Sequence, residues 1–199
     1  MGIEKPMLPL LDQREIEARI VGPLVRAFEK EIGGERTLAI VAEVIRGLAR
    51  ESGADLARLL GEQTLTAFAR SLDRWRENGA LELDLLEQSP TRLAFNVTRC
   101  RYAEMYRALG LPDLGASLSC QRDYTLAQGF NPAIELTRTQ TIMEGAPFCD
   151  FRFHLAASNE SLSDDATGPG DRGRSVEEAE TEAIGQTNVS VSRPTEPEP

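Results

Sequence analysis

Apolar residues in this chain recur at roughly every fourth position up to Gly79 and at every second position after it, which dictates a mixed fold with its helices first. After Asp12, residues Ile16, Ile20, Leu24, Phe28 and Ile32 describe an amphipathic helix that ends near Gly33-Gly34. A second helix is expected from Thr37 through Ile40, Val41, Val44, Ile45 and Leu48, stopping near Gly53. A third covers Asp55 to about Asn78, with Gly61 as its break or kink and Trp75 in its apolar stripe, where a core role suits it better than a ligand platform.

Beyond Gly79, Leu81, Leu83 and Leu85 alternate with Glu82 and Asp84, Ser89-Pro90 makes a turn, and Leu93, Phe95 and Val97 alternate with Ala94, Asn96 and Thr98. This is the pattern of a β-hairpin. A short helix from Tyr102 to Leu109 closes at Gly110, and a further helical stretch runs from Leu114 or Gly115 to about Ala127. Gly129 and Asn131-Pro132 then turn the chain into a strand from Ile134 to Met143, and the turn Glu144-Gly145-Ala146-Pro147 leads to the last strand, Phe148 to Leu155. Strands joined by short turns pair antiparallel. The expected fold is therefore α+β: N-terminal helices, then hairpin, helices and hairpin, forming a four-stranded antiparallel sheet with helices on one face.

The net charge of −10 sits mostly at the end of the chain, where residues 156–199 hold ten acidic and three basic residues against 22 and 19 in residues 1–155. That terminal segment has no aromatic residue and few branched aliphatics, too little apolar surface to offset the entropy of ordering it. It is expected to be an acidic disordered tail on a single domain of residues 1–155. The near-balanced charge of the domain argues against nucleic-acid or membrane partners. No run of eighteen apolar residues and no signal-like N-terminus appears, so the expected location is the cytoplasm, with three reduced cysteines.

Those cysteines all fall in the second half of the chain, each near ionisable groups. On the last strand, alternation puts Cys149, Phe151, Phe153 and Leu155 on one face and Phe148, Asp150, Arg152 and His154 on the other, which separates the only histidine from Cys149. On the preceding helix Cys120, Asp123 and Tyr124 stand at i, i+3 and i+4, so thiol, carboxylate and phenol share a surface. In that arrangement Asp123 is a candidate general base and Cys120 or Cys149 a candidate nucleophile. Arg138 interrupts the apolar row Ile134, Leu136, Ile142, either as a grip on a ligand anion or in an ion pair with Asp123 or Asp150. The cysteines lie twenty and twenty-nine positions apart with no C-x-x-C or H-x-x-x-H, so neither a metal nor a cofactor is expected.

Several ordered motifs then fall into one register. They are Cys100-Arg101-Tyr102-Ala103-Glu104-Met105-Tyr106-Arg107-Ala108-Leu109-Gly110, Cys120 with Asp123-Tyr124, Gly129-Phe130-Asn131-Pro132, Leu136-Thr137-Arg138-Thr139-Gln140-Thr141, and Gly145 with Phe148-Cys149-Asp150-Phe151. Together they resemble the L-2-amino-thiazoline-4-carboxylic acid hydrolase family over about residues 15–155. The resemblance implies a bacterial enzyme that opens a 2-amino-thiazoline ring with water, giving N-carbamoyl-L-cysteine on the route to cysteine. It implies a small-molecule substrate with a carboxylate, with Cys120, Asp123 and Cys149 as catalytic candidates and Arg138, Cys100, Tyr124 and Asn131 as substrate contacts. A non-enzymatic small-ligand-binding or dimerising module of similar fold is the alternative, and a homo-oligomer is left open.

Overall fold

The computed structural model describes residues 8–156, so the expected acidic tail lies outside the described residues. Two long helices open the chain, α1 (Leu10–Ile32) and α2 (Gly34–Leu60), separated by Gly33 alone. The apolar stripe read from the sequence does not face the core: Ile16, Ile20, Leu24, Phe28 and Ile32 are all exposed, as are Ile40, Val44 and Leu48 on α2. A spacing of four against a helical repeat of 3.6 drifts by only about 40° per step, so the row keeps to the outward side of its helix. The buried side of α1 is instead Ala18, Gly22 and Val25, small residues that let its backbone come close to its neighbours.

The second helix does not stop at Gly53. It runs on to Leu60 and ends at Gly61, whose φ of 69° is the left-handed conformation glycine adopts without penalty. Gly53 instead marks a helix crossing. A Cβ placed there would lie 2.1 Å from the carbonyl oxygen of Leu126, and one at Gly129 would lie 2.1 Å from that of Arg50. The expected third helix is two short ones, α3 (Leu65–Ala69), capped by the Thr64 hydroxyl, which accepts from Ala67 N at 3.0 Å, and α4 (Ser71–Trp75).

Strands β1 (Leu81–Gln88) and β2 (Arg92–Cys100) form the hairpin expected from their alternation. Helix α5 (Arg101–Ala108) follows, then α6 (Pro112–Gly115), a π-helical turn (Ala116–Cys120) and α7 (Arg122–Phe130), which carries Gly129 inside the helix and not in the turn after it. Strand β3 (Ile134–Thr137) is much shorter than the expected Ile134–Met143, and β4 (Cys149–Leu155) completes an all-antiparallel sheet in the order β1-β2-β4-β3.

What shortens β3 is Asp150. Its carboxylate accepts hydrogen bonds from the backbone of Thr139 at 3.0 Å and Gln140 at 2.9 Å and from the Thr139 hydroxyl at 2.7 Å, which draws the chain out of the ladder. The core lies on the inner face of the sheet, where Phe95 stacks on Phe151 with centroids 4.9 Å apart and Phe68 meets Phe153 edge-on at 5.2 Å. Trp75 is buried in the same cluster. Among the described residues no helix is long and apolar enough to cross a membrane.

Candidate active site

Between the helices and the inner face of the sheet lies a cavity of about 90 Å³. Cys100 reaches it from the end of β2, Cys120 from the end of the π-helical turn, Asp123 from the first turn of α7, Arg138 from the residue after β3 and Cys149 from the start of β4. Five side chains spread over 49 positions of sequence thus meet in one hollow, closed by Trp75, Val97 and Phe151.

The π-helical turn accounts for part of this convergence. Gln121 N donates to Ala116 O at 3.0 Å, a step of five residues that inserts an extra position and rotates Cys120 and Asp123 relative to the helix before them. Extra positions of this kind leave no mark in a periodicity count.

At the centre Arg138 donates from Nη1 to Asp123 Oδ2 at 2.6 Å and from Nη2 to the carbonyl of Cys120 at 3.0 Å. Of the two roles left open for Arg138, the ion pair is therefore formed, and with Asp123. The guanidinium carbon lies over both aromatic rings, 4.8 Å from the Phe151 ring centroid and 5.0 Å from that of Tyr124. Burial raises the pKa of the Asp123 carboxyl while Arg138 pulls it down, and burial prevails, so the group is more basic than an ordinary carboxylate. Burial opposes the Arg138 cation, but Asp123 more than offsets this and keeps it protonated.

The thiols are neutral. Burial pushes Cys100 up to about 11, and it raises Cys120 and Cys149 above the usual thiol range as well. Two have local structural duties: Cys100 Sγ accepts from Ala103 N at 3.4 Å and caps α5, and Cys149 Sγ accepts from Ile142 N at 3.2 Å and ties down the loop after β3. Among the described residues the sulfur of Cys120 takes no hydrogen bond. No group of three or more histidine, cysteine, aspartate or glutamate side chains among them is arranged to hold a metal ion.

Other candidates stand elsewhere. Tyr124 donates from its hydroxyl to Arg138 O at 3.2 Å and flanks the guanidinium without lining the cavity. Asn131 also lies outside it; its amide nitrogen donates to Gln63 O at 2.7 Å and its oxygen accepts from Ala133 N at 2.9 Å, fixing the turn after α7. His154 is on the opposite face, paired with Glu135 at 3.0 Å. Two charged side chains outside the candidate set also line the cavity, Arg14 from α1 and Arg122 from α7. Both donate to Glu17, at 2.6 Å and 2.8 Å. Counted with Arg138 and Asp123, three guanidinium groups face two carboxylates, an excess of one positive charge.

The family model described as L-2-amino-thiazoline-4-carboxylic acid hydrolase matches residues 13–153, a span that takes in Arg14, Cys100, Cys120, Arg122, Asp123, Arg138 and Cys149. The chain belongs to this family. No curated protein is matched. Among solved structures, the chain is similar to the phenol-responsive sensory domain of the transcription activator PoxR with phenol, at 16% identity and a TM-score of 0.45, covering 79% of this chain and 80% of that one. It is also similar to trafficking protein particle complex subunit 3 from Naegleria fowleri covalently bound to palmitic acid, at 12% identity and a TM-score of 0.44, covering 72% of this chain and 95% of that one. At the cavity of this chain, one carboxylate of raised basicity stands beside three protonated thiols.

Proposed function

We propose that the protein is a hydrolase acting on a small cyclic amidine or isothiourea that carries a carboxylate, of the 2-amino-thiazoline-4-carboxylate type. The observation that carries this is Asp123, a half-buried carboxylate of raised basicity fixed by Arg138 on the wall of a small cavity. Asp123 takes a proton from water as the water oxygen bonds to the ring carbon between nitrogen and sulfur. The carbon–nitrogen double-bond pair moves to the ring nitrogen, which takes up the hydroxyl proton of the tetrahedral intermediate, and collapse to the carbonyl breaks the bond from that carbon to sulfur. The departing thiolate recovers the proton from Asp123, leaving an N-carbamoyl-cysteine-type product with atoms balanced by one water.

Proton return through Asp123 fits the acidities better than donation from the cysteines, because thiols pushed above the usual range are weaker acids than the thiol being formed. The same argument disfavours them as nucleophiles, since the thiolate is the attacking form. The substrate carboxylate is placed against Arg14 and Arg122, where the excess positive charge lies, since Arg138 is already engaged by Asp123.

Purified protein is mixed with 2-amino-thiazoline-4-carboxylate while ring absorbance and free thiol are followed. Loss of the ring with one thiol per turnover, abolished by Asp123→Asn, is the expected result. One observation favours a second role, non-enzymatic binding of a small ligand: the cavity walls are mainly apolar and their thiols neutral. Saturable heat of binding with no ring opening decides for that role and against the hydrolase.

A further inference from the structure

We infer that the outer face of the α1–α2 pair is the contact through which two copies of this chain associate. This goes beyond the proposed reaction and does not depend on it. Ile20, Leu24 and Phe28 on α1 are 60%, 51% and 53% exposed, and Ile40, Val44 and Leu48 on α2 are 50%, 55% and 47% exposed. These positions follow four-residue spacing on both helices, so they form two adjoining apolar rows instead of scattered residues. Between the helices runs an apolar groove of about 410 Å³ with Tyr106 and Leu118 among its walls.

Area and charge both favour a second copy as the occupant. Half of six large side chains is roughly 500 Å² of apolar surface per copy, at the upper end of what a monomer exposes in one patch and most of the roughly 800 Å² that each partner contributes to a standard interface. A two-fold axis would set the projecting Phe28 and Leu24 of one copy against the groove of the other, a self-complementary arrangement of ridges and holes. The charges on these helices are balanced, five acidic and four basic residues over Leu10–Ile32 and four of each over Gly34–Leu60. Many are joined in ion pairs along the same helix, such as Arg19 with Glu15 and Arg46 with Glu43. A face meant for an anionic lipid surface carries a cationic excess, which is missing here. The acidic segment 156–199, without an aromatic residue, offers little to fill an apolar groove.

The test is the mass of the full chain in solution by light scattering on a sizing column, from about 1 to 100 μM. Twice the 21.9 kDa chain mass is expected. Ile20→Glu with Val44→Glu is expected to raise the dissociation constant at least 100-fold, with the circular-dichroism spectrum and melting temperature of the monomer retained. Ile40→Thr with Val44→Thr, which keeps the β-branched shape, is expected to weaken the dimer less and guards against misfolding of the glutamate variant. A wild-type monomer throughout the concentration range overturns the inference, whether it floats with phosphatidylcholine vesicles, which gives the face to lipid, or stays in solution, which gives it to another occupant. A dimer that both variants leave intact overturns it equally.

Discussion

In the proposed reaction Asp123 serves as a base while forming half of an ion pair, and its two neighbourhoods pull its acidity in opposite directions. Burial raises its pKa and Arg138 lowers it. The ionised form is the base, so kcat/KM is expected to climb with pH through the raised pKa and level off above it, with an acid limb higher than an ordinary carboxylate would give. Arg138→Gln removes the lowering influence and leaves burial unopposed. The acid limb in a pH–rate profile should then move to higher pH, whereas a purely structural role for Arg138 would change the amplitude of the profile and leave its midpoint in place. Asp123→Asn should cost at least about 100-fold in turnover, the lower end of what a positioned general base contributes. The thiols lead to a separate expectation. With Cys100 pushed up to about 11 and Cys120 and Cys149 also raised, alkylation by iodoacetamide should be slow at neutral pH and still accelerating above pH 9, as read by mass spectrometry of the modified residues. Fast neutral-pH labelling of Cys120, or loss of turnover in Cys120→Ser, would restore the covalent route.

The crossing of α2 and α7 is set by two hydrogen atoms. Gly53 and Gly129 each face the other helix's backbone so closely that a methyl group has nowhere to go, because a carbonyl cannot swing aside as a side-chain tip does. Alanine is ordinarily the better helix former by about 1 kcal/mol. Here the clash should reverse the sign, and Gly53→Ala or Gly129→Ala is expected to cost about 3 kcal/mol or more in denaturant melts. The loop after β3 depends on Asp150 in a comparable way. Burial works against its anion, but the hydrogen bonds from Thr139 and Gln140 outweigh it and hold the carboxyl below its ordinary range. That stabilisation is present above the unfolded-state pKa and fades as pH falls through the lower folded value, so the stability lost in Asp150→Ala should be full at neutral pH and shrink in acid. Strand faces were legible in the sequence because a two-residue period admits only one assignment once one face is buried, and Cys149, Phe151 and His154 all fall where alternation puts them. Helix faces were not. The stripe of Ile16, Ile20, Leu24, Phe28 and Ile32 is apolar, but apolarity does not say which surface it meets, and the side turned to the core is marked only by Ala18, Gly22 and Val25. The early end of β3 was illegible for another reason: it comes from Asp150, a partner eleven residues beyond Thr139.

Taken as a whole, the molecule uses its sheet as one wall and its helices as the other, and the cavity between them draws its charges from both ends of the described chain. Cys120 and Asp123 were visible as a pair in the sequence because a single helix turn holds them together. Arg14 was not, since its place beside Arg122 depends on the ion pair that Glu17 of α1 makes with Arg122 at the start of α7, a contact across 105 residues. On the proposed function, that distant contribution sets the ligand preference of the cavity. Three guanidinium groups line the cavity and share two carboxylates, Asp123 on its wall and Glu17 behind Arg14 and Arg122, which leaves one positive charge in surroundings that screen it poorly, so a ligand carboxylate should bind far better than the same ring without one. The consequence is a linkage effect on global stability, since a ligand that binds only the folded state at 100 times its dissociation constant adds about 2.7 kcal/mol. Melts of the wild-type protein with the product-like N-carbamoyl-cysteine should show an upward shift of several degrees, 2-amino-thiazoline lacking the carboxylate should show almost none, and Arg14→Met should lose most of the shift while leaving the ligand-free melting temperature nearly unchanged. Equal shifts for the two compounds would mean that the ring alone is recognised and that Arg14 and Arg122 serve only to hold Glu17.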